Sequence, residues 1–181
     1  MGNHLLDIVN ENDEVIGEAY KDQKAELGFI SRVAAVFLCD LESNIFICKR
    51  AAHKKYSPNL YDLAAVGAVL KGETYEDASL RELEEELGVK CDLQMLDKFY
   101  QEAEAVGDGK KLKYFCAVFL GKTDAEPVLN EELSEIRKMS WDQLRLELKN
   151  NLDKFCPGFI NDFKQVEEKL EKIMKSKRSD C

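Results

Sequence analysis

Residues 75–87 form the most constrained segment of the chain, because a helix there is marked at both of its ends. Thr74 stands where an N-cap hydroxyl is wanted, Asp77 follows three residues later as its capping-box partner, and Gly88 supplies the left-handed stop. On a wheel of about 100° per residue, Leu80, Leu83 and Leu87 fall together as a core-facing stripe. Glu82, Glu85 and Glu86 share an arc of about 100° nearly opposite, and Glu84 lies outside it. Carboxylates at i,i+3 and i,i+4 spacing oppose helix formation by a few tenths of a kcal/mol per pair. Such a cluster is either a solvated face or a place to hold a cation. A helix this short also has to bury its leucines on another layer.

The rest of the chain supplies that layer. Residues 5–19 read as an N-terminal β-hairpin around the turn-forming Asn10-Glu11-Asn12-Asp13, and residues 21–27 as a short helix ending at Gly28. Residues 32–40 and 45–48 are apolar strand-like runs joined by Glu42-Ser43-Asn44, and 56–60, with Pro58 and Asn59, is a loop. Residues 61–66 are extended and stop at Gly67, and further strands are expected over 112–120 and 136–141. Past Trp141, the spacing of Ile160, Phe163, Val166, Leu170, Ile173 and Met174 predicts an amphipathic C-terminal helix over about 160–176. With no repeat and no linker, 1–181 reads as one α/β domain, a mixed sheet between helices.

Charge narrows the partners. With 26 Lys and Arg against 35 Asp and Glu the net charge is −9, so the surface repels nucleic-acid polymers and anionic membranes. The longest apolar runs, such as 33–39, fall far short of the roughly 20 residues that span a bilayer, and no signal peptide opens the chain; a cytoplasmic location is expected. Cys39, Cys48, Cys91, Cys116, Cys156 and Cys181 are scattered without a C-x-x-C pair and read as reduced thiols, the first two and Cys116 as core packing. His4 and His53 are the only histidines, too few for a metal site built from several imidazoles.

The flanks of the helix decide between a solvated and a functional acidic face. Gly67, Glu73, Arg81-Glu82-Leu83, Glu85-Glu86 and Gly88-Val89 stand at fixed spacing, and this arrangement resembles the Nudix box, the loop-helix-loop signature of Nudix hydrolases, with every fixed position filled. Gly67 is expected to let the chain turn sharply after its strand, Glu73 to pair with Arg81, and Gly88 to end the helix. The resemblance implies a Nudix fold and a pyrophosphohydrolase that cleaves a diphosphate linked to another moiety, with a nucleotide-type substrate. It implies Mg2+ or Mn2+ held by Glu82, Glu86 and the backbone carbonyl of Val66. Glu85 is a further ligand or the base, and Arg81 belongs to the same catalytic set. Carboxylate and carbonyl oxygens suit such hard cations.

Outside the box, Glu131, Glu132 and Glu135 precede Trp141, and many Nudix enzymes carry an extra carboxylate in this region; Glu135 is the first candidate. Lys49, Arg50, Lys54 and Lys55 form a basic patch, of which Arg50, Lys54 and Lys55 are candidates to bind a substrate phosphate. The wider chain looks like the branch related to isopentenyl-diphosphate isomerase, through Asp7-Ile8-Val9-Asn10-Glu11, Val15-Ile16-Gly17 and Pro58-Asn59-Leu60-Tyr61. That isomerase chemistry needs a cysteine before the box glycine and a histidine after it, where this chain has Val66 and Ala68, and an acid on the strand holding Lys113-Tyr114-Phe115-Cys116. Isomerase is therefore not expected as the main activity; an isopentenyl-diphosphate isomerase-like protein and a binding module without turnover are the two alternatives. The N-terminal hairpin packs either on the sheet or on a second copy of the chain, so a homodimer is one outcome the sequence allows.

Overall fold

The computed structural model describes residues 3–104 and 111–176, and Cys181 lies outside them. The order is β1 (Leu5–Val9), β2 (Val15–Tyr20), α1 (Lys24–Leu27), β3 (Ile30–Cys39), β4 (Ile45–Arg50), β5 (Tyr61–Asp62), β6 (Ala65–Ala68), α2 (Tyr75–Leu87), β7 (Leu93–Glu104), β8 (Lys111–Lys122), β9 (Leu133–Met139), α3 (Trp141–Asn150) and α4 (Pro157–Ser176). The strands make one mixed sheet around β3, which runs parallel to β8 along its whole length and antiparallel to β1, β4 and β6; β7 flanks β8 and β9 flanks β4.

The apolar run of β3 is continuous because both faces of the sheet are covered. Alternate residues point to opposite sides: Val36 and Leu38, with Ala117 and Phe119 of β8, pack on Leu83 and Leu87 of α2. Ala35 and Phe37, with Cys116 and Val118, pack on Phe159, Phe163, Val166 and Leu170 of α4. This is the expected mixed sheet between helices. Phe37 meets Phe159 edge-on at 5.9 Å and Trp141 stacks on Phe163 at 5.6 Å, so α3 and α4 share one aromatic core. None of the five described cysteines is in a disulfide.

The structure departs from the sequence reading at four points. The strand β7 was not expected at all. A bulge at Leu96 shifts its register against β8, so Leu93 packs on the α2 side while Leu96 and Phe99 pack on the α4 side, and no single alternation marks the segment. The stretch 61–66 divides into β5, paired with β4, and β6, paired with β3. Gly67 does not end a strand; it lies inside β6 opposite Ala34, with Ala68 still paired to Val33. The segment 21–27 is a 3-10 turn over Lys21–Gln23 followed by α1, closed by Gly28 at φ 64°.

The N-terminal hairpin packs on its own sheet. Val9 pairs with Ile30, and Leu6 and Ala19 join Phe29 and Ala68 in a small core. Among the described residues no helix is long and apolar enough to cross a membrane.

Candidate active site

The box helix begins and ends where its capping residues dictate. The Thr74 hydroxyl accepts from the Asp77 amide at 3.1 Å, the Asp77 carboxylate accepts from the Thr74 amide at 3.2 Å, and Gly88 closes the last turn at φ 66°. The buried residues of the helix are Ala78, Ser79, Leu83 and Leu87; Leu80, expected in the core, is only half-buried.

Arg81 ties this helix to the preceding loop. Its guanidinium donates through Nε and Nη2 to the two oxygens of Glu73 at 2.8 and 3.0 Å, and through Nη2 to the carbonyl of Ala68 at 3.0 Å. Glu73 also accepts from the Leu70 amide at 2.9 Å. Hydrogen bonding to Arg81 holds the Glu73 carboxyl below its usual range, so the fork is charged on both sides. The expected pair is present, and it clamps the end of β6 against α2.

That clamp brings Glu82 onto Gly67. A Cβ on Gly67 would lie 1.9 Å from both Cδ and Oε1 of Glu82, which no real side chain tolerates. The expected turn is corrected accordingly: this glycine has no left-handed φ, and its smallness makes room for a carboxylate. Arg81 Nη1 donates to Glu82 at 2.7 Å from the other side.

The acidic arc of the wheel splits in three. Glu85 is open to solvent, its side chain 61% exposed and 3.5 Å from Arg81. Glu82 is half-buried against Gly67. Glu86 turns toward the sheet into a narrow crevice that it lines with Arg50, Lys54, Asp62, Val66 and Glu132. Burial raises the Glu86 carboxyl to about 8, helped by the charges of Glu82, Asp62 and Glu132 and offset in part by Arg50. Burial raises Asp62 as well, against the opposing pull of Arg50, whose Nη1 stands 3.3 Å from it.

Of the basic candidates, Arg50 and Lys54 reach this crevice, Lys54 paired to Glu132 at 2.7 Å. Lys55 does not; it is exposed, with its ammonium over the Tyr56 ring at 5.1 Å. Glu135 does not either. It lies on β9 opposite Lys49, where its carboxylate accepts from Arg137 at 2.6 Å and from the Tyr61 hydroxyl at 3.0 Å. Glu132, noted in sequence beside it, takes the place in the crevice. Asp62 was not singled out; its one signal is an acid between apolar neighbours in Tyr61-Asp62-Leu63. Among the described residues no three His, Cys, Asp or Glu side chains are yet gathered closely enough to cage a metal, Glu82 being turned to Arg81.

Comparisons with known proteins bear on the family and the fold. Residues 29–159 match the family model described as NUDIX domain. An isopentenyl-diphosphate Delta-isomerase 2 of Photorhabdus laumondii is 31% identical over 156 residues, 86% of this chain and 88% of that one. An uncharacterized Nudix hydrolase of Pseudomonas aeruginosa is 34% identical over 158 residues, covering 86% and 89%. Among solved structures, one from Deinococcus radiodurans superposes with a TM-score of 0.65 at 29% identity, covering 81% of this chain and 90% of that one. A chain matched by the family model over most of its length, carrying the complete box on the helix described above, belongs to the Nudix family.

Proposed function

We propose that the protein is a divalent-metal-dependent Nudix hydrolase that splits a diphosphate linked to another moiety, with a nucleotide-type substrate. The observation that carries this reading is the Glu86 carboxylate, buried beside Glu82, Asp62 and Glu132 with too little positive charge around it. A site that gathers like charges in a crevice is completed by a cation. The donors fit one: Glu82, Glu86 and the Val66 carbonyl offer only hard oxygens, and the missing side chain of Gly67 lets the Glu82 carboxylate lie against the strand beside Val66.

When bound, Mg2+ or Mn2+ there neutralises diphosphate charge and activates water. The residues of the chain do the rest. Arg50 and Lys54 bind phosphate oxygens at the crevice mouth, trading their partners Asp62 and Glu132 for substrate. Water attacks phosphorus in line, the bridging P–O bond breaks, and the proton passes to a carboxylate, for which the exposed Glu85 is available. Arg81 and Glu73 act as positioning residues, holding Glu82 on its strand-facing side.

The isomerase reading suggested by several relatives has less support. Val66 and Ala68 bracket Gly67 where a cysteine and a histidine would be needed, and Cys116 stands on the strand where an acid would be. The test is a product-resolved assay, with and without Mg2+, over nucleoside diphosphates and triphosphates, dinucleotides, nucleotide sugars, coenzyme A and isopentenyl diphosphate. Metal-dependent cleavage of a diphosphate bond, abolished by Glu86→Gln, is the expected result; isomerisation, or no product from any of them, contradicts it.

A further inference from the structure

Strand β7 is an outer edge of the sheet, and half of that edge is left open. Its twelve residues pair with β8 on one side, and among the described residues no strand lies on the other. An outer strand carries a row of amides and carbonyls ready to pair with another chain, and folds commonly blunt it. The first half of β7 is blunted in this way. A bulge interrupts its ladder at Leu96, and Lys169 of α4 donates to the Leu96 carbonyl at 2.8 Å and to Asp97 at 2.7 Å. From Asp97 to Ala103 the pairing with β8 is regular, so alternate residues turn their backbone groups outward, and neither device recurs there.

The side chains of this open half select what can pair with it. Lys98, Tyr100 and Glu102 stand on one face. Tyr100 is 43% exposed although it packs edge-on against Phe115 at 5.6 Å. The side chains of Lys98 and Glu102 are 40% and 37% exposed while paired to Asp13 and Lys111. In a two-fold antiparallel pair of identical strands, facing residues share a side of the sheet and lie equally far from the axis. An axis beside Lys98 or Glu102 sets like charges against each other, and one beside Phe99 sets Lys98 against Tyr100. Only an axis beside Tyr100 places Lys98 opposite Glu102, twice, with the two Tyr100 rings between them. The pairs then extend into a row of alternating sign, Asp13 and Lys98 of one copy followed by Glu102 and Lys111 of the other. Charges on an edge strand ordinarily keep other strands away; here they admit one register of the same strand. The other open edges lack this match. Glu18 is the one charge of β2, and on the shorter β9 Glu135 and Arg137 already pair with each other at 2.6 Å.

We propose that the chain forms a two-fold dimer in which β7 adds antiparallel to β7 of a second copy, centred on Tyr100, so that the sheet continues across the axis. The open stretch from Asp97 to Ala103 is short beside the roughly 20–30 residues a side of a standard interface. The dimer is therefore weak and forms as concentration rises. It does not depend on the hydrolase reading, since the crevice around Glu86 is walled by other elements.

The test is sedimentation equilibrium of the full chain from about 1 µM to 1 mM, the range of weak affinities. The mass should rise with concentration from that of one chain toward that of two. Glu102→Lys, an exposed change that sets a lysine opposite Lys98 at both ends of the contact, should weaken the dimer about tenfold or more. Tyr100→Cys tests the register. It puts two thiols beside the axis with Cα atoms about 4.5–5.5 Å apart, within disulfide reach. Mild oxidation should link two chains through Tyr100→Cys, and should do so neither in the parent, with its own six cysteines, nor in Val15→Cys, an exposed position on β2. A chain that stays monomeric over the whole range overturns the proposal. So does a dimer that Glu102→Lys leaves unchanged or that Tyr100→Cys fails to link, because either result puts the contact on another surface.

Discussion

Two carboxylates beside opposite ends of α2 are both pushed upward by burial and keep opposite company. Asp13, in the hairpin turn, is 6% exposed in its side chain. Burial alone would raise its pKa, yet Lys98, Arg32 and the Tyr75 hydroxyl together hold it below its usual value, Arg32 Nε at 2.6 Å and Tyr75 at 3.0 Å. Glu86, in the last turn, is surrounded by Glu82, Asp62 and Glu132 and is raised to about 8. One site is complete as the chain alone builds it and fastens the N-terminal hairpin to the sheet and to the first residue of α2. In the other, Arg50, Lys54 and Arg81 are paired to Asp62, Glu132 and Glu82, which leaves Glu86 without a cation of its own, the difference between a site that takes a ligand cation and one that only folds.

The largest expected effect breaks the comparison on the side of function. Glu86→Gln should lower turnover about a thousandfold while leaving the metal-free protein as stable as the parent or more so, since it replaces a carboxyl whose ionisation is disfavoured by burial and like-charged neighbours. Steady-state kinetics beside thermal unfolding checks both halves. Asp13→Ala should do the reverse, costing about 3–5 kcal/mol by leaving Arg32 buried without its carboxylate, with kcat changed far less than stability; denaturant unfolding reads it. Gly67→Ala comes next: the new methyl must displace the Glu82 side chain, which is flexible enough to yield, so the fold survives and activity falls about tenfold or more.

The smallest effect sharpens the contrast through pH. Asp13 has a depressed pKa, so its stabilisation is present above the unfolded value near 3.9 and is lost as pH falls through the folded one. Glu86 has a raised pKa, so between about 4.5 and 8 the native state holds a proton that the unfolded state does not, and stability falls as pH rises through that window. Metal-free Glu86→Gln should therefore lack this part of the pH dependence, and the difference between the two unfolding curves measures it. Parallel curves from pH 5 to 9 would contradict the burial of a charge at Glu86.

What the sequence made legible was local. Thr74, Asp77 and Gly88 fix the limits of α2 by contacts within a turn, and Glu73 reaches Arg81 across one loop, so spacing alone identifies both. What it hid depends on strands meeting from afar. The wheel places Glu82, Glu85 and Glu86 on one arc, but only the approach of β6 and the crevice wall from β4 and β5 separates the buried Glu86 from the exposed Glu85. Glu132 lines the crevice and Glu135 does not, a difference set by the bulge between Lys49 and Arg50 that shifts the β4–β9 register. Strand β7 was lost to its own bulge, and Asp13 read as a turn residue because its partners Arg32, Tyr75 and Lys98 lie on three other elements.

The central claim is that the acidic crevice is completed by a divalent cation. Mn2+ binding, followed by electron paramagnetic resonance in the full chain and in Glu86→Gln, tests it most directly. The account predicts saturable binding in the parent chain that Glu86→Gln abolishes or weakens at least about tenfold, while Asp13→Asn, if folded, retains it. Equal Mn2+ affinity in the parent and Glu86→Gln would contradict it.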